Sequence, residues 1–231
     1  MKNYKIIIPG IIITIVIDYI ASTYGDLINL NIDFIPHSFG THTLMFSLSI
    51  IAIILLKKYV KYQISVPEFK KVLKPVILGF LASVIMNMII MSIVVSTKGD
   101  DNMQMPTTNM SVLQIFIFVF IYASIAEEML FRGFLQNFLN PLKNKGIRLL
   151  KRKLSLPVLI SAIMFGLSHL ILLNPERNDI LVFGIVISAT VLGIIAGYYQ
   201  EKYNNNAYAI LVHMAGNLMG IIGTIMMNVN S

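Results

Sequence analysis

The feature that most constrains this chain is a series of apolar runs, each close to the length of a membrane crossing. They fall at roughly residues 4–20, 38–56, 76–95, 111–139, 157–173, 180–199 and 207–228. A helix needs about 20 residues to cross the hydrocarbon core, and tilt or fraying absorbs small mismatches. In lipid every backbone N–H and C=O must be bonded within the protein, so runs of this length must be helical. The expected fold is an all-α, polytopic transmembrane helix bundle of about seven spans. It forms one domain over residues 1–231, with three accessory spans in 1–110 and the site-bearing helices in 111–228. The fourth run is read as one long tilted helix with a buried polar centre, stopped by Asn140-Pro141.

Composition agrees with lipid as the solvent. Charged residues make up 13% of the chain and mean hydropathy is +0.77, whereas soluble domains carry about 25% charged residues. Cysteine is absent, which excludes disulfides, thiolate metal sites and a cysteine nucleophile. Tryptophan is absent too, so tyrosine must supply any aromatic belt.

The net charge of +7 does not indicate nucleic acid, because the basic residues flank apolar runs and line no aromatic groove. Of the 18 basic residues, all but Lys98, Arg177 and the intraspan Arg132 fall on one side of the seven-span arrangement. The positive-inside rule then puts the N-terminus in the cytoplasm and the C-terminus outside. Lys2 and Lys5 before Ile6–Ile17 resemble the start of a signal peptide. Asp18 and the poor cleavage site Ala21-Ser22-Thr23 favour an uncleaved first span instead. Residues 57–75 and 141–156 mix basic and apolar residues. They read equally as surface segments that bind anionic membrane lipid and as ordinary loops.

Three polar groups stand inside apolar helices, where each ionisable residue costs kilocalories. Glu127-Glu128-Met-Leu-Phe-Arg132 places Glu128 and Arg132 at i,i+4 on one face. Glu127 lies about 100° round the helix, toward a different partner. Phe165-Gly-Leu-Ser-His169 carries a histidine. His213-Met-Ala-Gly-Asn217 puts an imidazole and an amide on one face. At 1.5 Å per residue, Glu127 and His169 lie about 18 Å from the cytoplasmic ends of their helices, and His213 about 9–15 Å. Carboxylates and imidazoles from three helices thus meet at overlapping depth. His37 and His42 are assigned to the first outer loop and its edge, with a surface role. Asp18 is placed near the outer end of its span, and Asn87 is expected to bond a neighbouring helix. Gly193-Ile-Ile-Ala-Gly197 and Gly216-Asn-Leu-Met-Gly220 read as helix-packing faces.

Glutamate with histidine activates water, and His213 with Asn217 offers donors for an oxyanion. Alternatively, Glu127, His169 and His213 form a two-histidine, one-carboxylate set for Zn²⁺, with the other glutamate as base. The helical His-Glu-x-x-His signature is absent, so a metal is allowed and not demanded.

At these residues the chain resembles the CAAX protease and bacteriocin-processing (CPBP, or Abi) family, which includes the type II prenyl-protein endopeptidases. Glu127-Glu128-x-x-x-Arg132, Phe165-x-x-x-His169 and His213-x-x-x-Asn217 look like its three ordered motifs, and the likeness spans roughly residues 111–220. The resemblance implies an intramembrane endopeptidase, labelled a metalloprotease, whose site opens toward the cytoplasm. It implies that Glu127 and His169 activate water, that Glu128 and Arg132 support them, and that His213 and Asn217 stabilise the oxyanion. The implied partners are membrane lipid and a peptide or protein substrate. A composition rich in Ile, Asn and Lys suggests a bacterial plasma membrane. There the family's roles include maturation of peptide pheromones or bacteriocins, and immunity. Two other readings stand beside this one: a proton- or cation-coupled transporter, and a non-catalytic scaffold with the same fold. Against the transporter, the helices show no paired breaks and no inverted repeat.

Overall fold

The computed structural model describes residues 5–28, 30–98, 110–149, 151–173 and 179–229. Lys2 and Arg177, both used for the expected orientation, lie outside the described residues. The helices are α1 (Ile7–Tyr24), α2 (Ser38–Leu55), α3 (Phe69–Lys98), α4 (Val112–Gln136), α5 (Leu156–Ser168), α6 (Asp179–Tyr203) and α7 (Asn206–Val229). The structure is an all-α membrane bundle. Five of these helices are long and apolar enough to cross a bilayer, while Leu156–Leu172 and Asn206–Ile222 are shorter apolar helices.

Burial ranks the helices. In the most apolar stretches of α4 and α6, 39% and 44% of residues are buried, against 17% to 22% in α1, α2 and α3. The motif helix α4 is therefore central. It packs on α1, α2, α5, α6 and α7, around Leu130, Phe131, Phe134 and Leu135, all almost wholly buried. The outer helices turn large apolar side chains such as Ile8, Ile85 and Met88 outward, as a lipid solvent permits.

Local chemistry sets the ends. The Ser111 hydroxyl accepts from the Gln114 N–H at 3.3 Å and the Gln114 side chain accepts from the Ser111 N–H at 2.8 Å, a capping box that opens α4. Ser155 caps α5 through the Val158 N–H at 3.4 Å, with Pro157 in the first turn. Asn204, at φ 47°, adopts the left-handed conformation that asparagine tolerates after a helix C-terminus, so α6 and α7 are separated by two residues.

Four details differ from the sequence reading. The 141–156 segment holds an antiparallel hairpin, β1 (Gly146–Leu149) with β2 (Arg152–Ser155), and β1 is exposed. Helix α3 starts at Phe69, before Pro75; a proline this early removes one backbone bond and leaves the rest of the helix intact. Asn87 donates to the Ser83 carbonyl of its own helix at 2.8 Å. Ser83 makes the interhelical bond instead, donating to the Gly216 carbonyl of α7 at 2.9 Å. Finally, α4 is wound wide. Its Ile115–Ala123 and Met129–Gln136 segments are π-helical, and only Ser124–Glu128 between them is regular. Such turns are rare and cluster at functional sites.

Between α2 and α3, residues 60–68 have no regular secondary structure and bond to the α6–α7 turn. Asn205 accepts from the Ser65 N–H at 3.2 Å and donates to the Ser65 carbonyl at 3.0 Å, and the Asn206 N–H donates to the Gln63 carbonyl at 2.9 Å. Asn205→Ala deletes the Asn205 bonds and leaves backbone groups of a part-buried strap unpaired. Thermal unfolding in detergent should show a loss of about 2 kcal/mol, from the cost of unmade buried hydrogen bonds.

Candidate active site

Glu128 and Arg132 are separated by one turn of α4 and are both wholly buried. The Arg132 Nη1–H donates to Glu128 Oε1 at 2.7 Å. Arg132 also lies over the Phe165 ring, 4.6 Å from its centroid, so a cation–π contact adds to the ion pair. A guanidinium needs width, and α6 provides it with glycine. A Cβ at Gly193 would stand 2.6 Å from Arg132 Nη2, and one at Gly197 would stand 2.6 Å from Gln136 Oε1. The expected packing face is thus a cradle for two polar side chains of α4, four residues apart on both helices. Below it, Gln136 donates to the Gly197 carbonyl at 2.9 Å and to Gln200 at 2.7 Å, while Asn137 donates to the Arg132 carbonyl at 2.9 Å.

His213 connects the buried pair to the second carboxylate. Its Nδ1–H donates to Glu128 Oε1 at 2.9 Å, and its Nε2 stands 3.6 Å from Glu127 Oε2. Glu127 keeps a side-chain exposure of 16%, where Glu128 has none. Two adjacent glutamates therefore have distinct surroundings, one locked into the core and one partly exposed.

His169 ends α5. Its Nδ1 lies 2.9 Å from the Phe165 carbonyl oxygen. A carbonyl only accepts, so Nδ1 carries the proton and Nε2 presents a lone pair. The Phe165 ring stands 5.1 Å from both the His169 and His213 rings, and His169 lies within electrostatic range of the Glu127 carboxylate. Asn217 sits a turn beyond His213 on α7. Its amide donates to the Val119 carbonyl at 3.2 Å and to the Ser124 hydroxyl at 3.1 Å. All six candidate residues thus belong to one region between α4, α5 and α7. Glu127, Glu128, Arg132 and His213 are joined by direct contacts, His169 shares Phe165 with them, and Asn217 is engaged with α4.

His42 corrects the surface role assigned to it. Its Nε2 lies 3.3 Å from Glu127 Oε1 at a side-chain exposure of 15%. Asp18 of α1 also interacts electrostatically with Glu127, so it faces the site as well as the outer end of its span. Single polar residues in apolar helices were the available signal, and His42 lies one turn inside α2. Nothing in the order of the motifs connects either residue to them.

For a metal, Glu127, His169 and His213 are the candidate ligands. Ligand atoms of a zinc site stand about 2.0–2.2 Å from the ion, which demands close convergence. Among the described residues no three histidine, aspartate or glutamate side chains converge in that way. As arranged, the set does not fit a metal.

A multi-pass membrane bundle with a buried glutamate–arginine pair feeding a histidine and a partly open glutamate has the build of an intramembrane hydrolase. The family model of the type II CAAX prenyl endopeptidase Rce1-like proteins matches residues 109–219. That part of the chain, with all three motifs, belongs to the CPBP, or CAAX protease, family. Neither a curated protein nor a solved structure matches the chain.

Removing one partner of the buried pair exposes the cost of the other. Arg132→Met should lower stability by about 3–5 kcal/mol, because Glu128 is left charged and unpaired. Glu128→Leu/Arg132→Met should recover a large part of that loss. Unfolding of both variants in the same detergent checks this.

Proposed function

We propose that the chain is an endopeptidase that cuts a membrane-associated peptide or protein with a water molecule activated by Glu127. One observation carries this reading: of two adjacent glutamates in the family-matched region, one is neutralised by Arg132 and the other is partly exposed beside His213 and within range of His169. Glu127 accepts the proton of the attacking water as general base. The free Nε2 of His169 orients that water by accepting its second hydrogen and relays the proton taken up by Glu127 to the departing amine as the C–N bond breaks, which restores the Glu127 carboxylate. His213 is fixed by its Nδ1 bond to Glu128. When protonated on both nitrogens it offers Nε2–H to the oxyanion. Asn217 holds α7 against α4 and contributes to the oxyanion only by exchanging one of its present bonds. The bundle excludes bulk water, which strengthens each of these interactions.

The proposed setting is a bacterial plasma membrane. The proposed substrates are short membrane-associated precursors, of which peptide pheromones and bacteriocins are examples. Comparative proteomics of membranes carrying wild type or Glu127→Gln should show one or more peptides cut only by wild type. In a reconstituted assay, Glu127→Gln and His169→Ala should each lower kcat by about 10²–10⁴, the usual size of a general acid–base contribution. Glu127-dependent ion flux in liposomes without any cleavage would replace this reading with the transporter. Normal function of both variants in cells would replace it with the scaffold.

Because the side chains do not converge on a metal, turnover should stay within about twofold after treatment with a strong zinc chelator. Loss of turnover that zinc alone restores would instead assign Glu127, His169 and His213 as ligands.

A further inference from the structure

Glu127 is held from two directions, and only one of them lies in the matched region. His213 approaches Oε2 at 3.6 Å from α7, while His42 approaches Oε1 at 3.3 Å from α2. The matched segment begins at residue 109, so His42 belongs to the accessory spans. We propose that His42 is a positioning residue of the active site, which holds Glu127 Oε1 so that Oε2 faces the reacting water. This rests on the reading of Glu127 as general base.

The contact is built. The His42 Nδ1–H donates to the Ser38 carbonyl of its own helix at 2.7 Å. That bond fixes the ring and commits Nδ1 as a donor, so with both ring nitrogens protonated Nε2–H donates to the Glu127 carboxylate. The helix is itself locked on either side of His42. Phe39 stacks on Tyr122 with ring centroids 5.4 Å apart, and Thr43 shares a hydrogen bond of 2.8 Å with the Tyr122 hydroxyl. Tyr122 lies one turn before Glu127 on α4, so α2 and α4 are clamped at the level where imidazole and carboxylate meet. A histidine serving only to fill space needs neither an aligned ring nor a carboxylate at its free nitrogen. The groups facing Glu127 are then Asp18 from α1, His42 from α2, His169 from α5 and His213 from α7. Two of the four come from helices that carry no motif.

The test uses full-length protein in lipid nanodiscs, with wild type, His42→Ala, His42→Gln and Glu127→Gln. Glutamine retains an N–H for Glu127 Oε1, and alanine does not. His42→Ala should lower kcat at least tenfold on a peptide that wild type cuts, with KM changed less than threefold, and His42→Gln should recover most of the rate. Labelling of Glu127 by dicyclohexylcarbodiimide, read by mass spectrometry, needs no substrate. Release of Oε1 should change that rate at least threefold in His42→Ala, with His42→Gln close to wild type. Equal labelling in all three, or equal kcat in wild type and His42→Ala, overturns the role of His42 and leaves the protease reading intact. Altered labelling in a protein that cuts nothing retains the contact to Glu127 and removes the protease reading.

Discussion

The Glu128–Arg132 pair is the interaction from which the rest of the site follows. Both side chains are wholly buried, and taking two charges out of water costs several kilocalories per ion even after the protein relaxes. Arginine does not escape by losing its proton. The cost is offset only in part: Arg132 Nε and Nη2 and Glu128 Oε2 have no hydrogen-bond partner among the described residues, while other groups share the charge. The guanidinium stacks on Phe165, and Glu128 Oε1 takes a second hydrogen bond from His213. The requirement for space is met on α6 by Gly193. One ion pair therefore dictates the ring between α4 and α5, the orientation of the α7 histidine and a glycine on α6.

Neutralising one glutamate also frees the other. Adjacent residues on a helix point about 100° apart, so two carboxylates in sequence need not share surroundings. Glu128 turns into the bundle and meets a cation. Glu127 turns toward α2 and meets imidazoles, which carry protons without being permanently charged. A single carboxylate able to receive a proton, flanked by groups that exchange protons, is what water activation requires. The wide turns on either side of Ser124–Glu128 rotate the neighbouring faces of α4, and this lets one helix serve a phenylalanine core and a polar site together.

The membrane class and the site region were legible in the sequence for one physical reason. Lipid penalises stray polarity, so apolar runs mark helices, and the exceptions Glu127, Glu128, Arg132, His169 and His213 mark the polar cluster that the structure brings together. The same logic failed where the cost of polarity is low. His42, one turn into α2, carried no penalty large enough to separate it from an outer-loop histidine. Its partnership with Glu127 is a contact between residues 85 apart in sequence, with no local periodicity to announce it. Gly193 and Gly197 were legible as a close-packing face, but the reason for the closeness, Arg132 and Gln136 across the interface, lies on another helix. The hairpin at 146–155 was hidden because β1 is exposed throughout and β2 buries only the adjacent Leu154 and Ser155, which leaves no two-residue alternation to read.

These failures share a cause that bears on how the site is built. The matched region supplies a continuous series of contacts from Arg132 through Glu128 and His213 to one oxygen of Glu127. Among the described residues its other oxygen is met by His42 of α2, whose place against α4 is set by Phe39, Thr43 and Tyr122. The motif helices therefore approach Glu127 from one side, and a helix that carries no motif approaches it from the other. Helix α2 is thus part of the surroundings of Glu127, so a change at Phe39, His42 or Thr43 reaches that carboxylate without touching any motif residue.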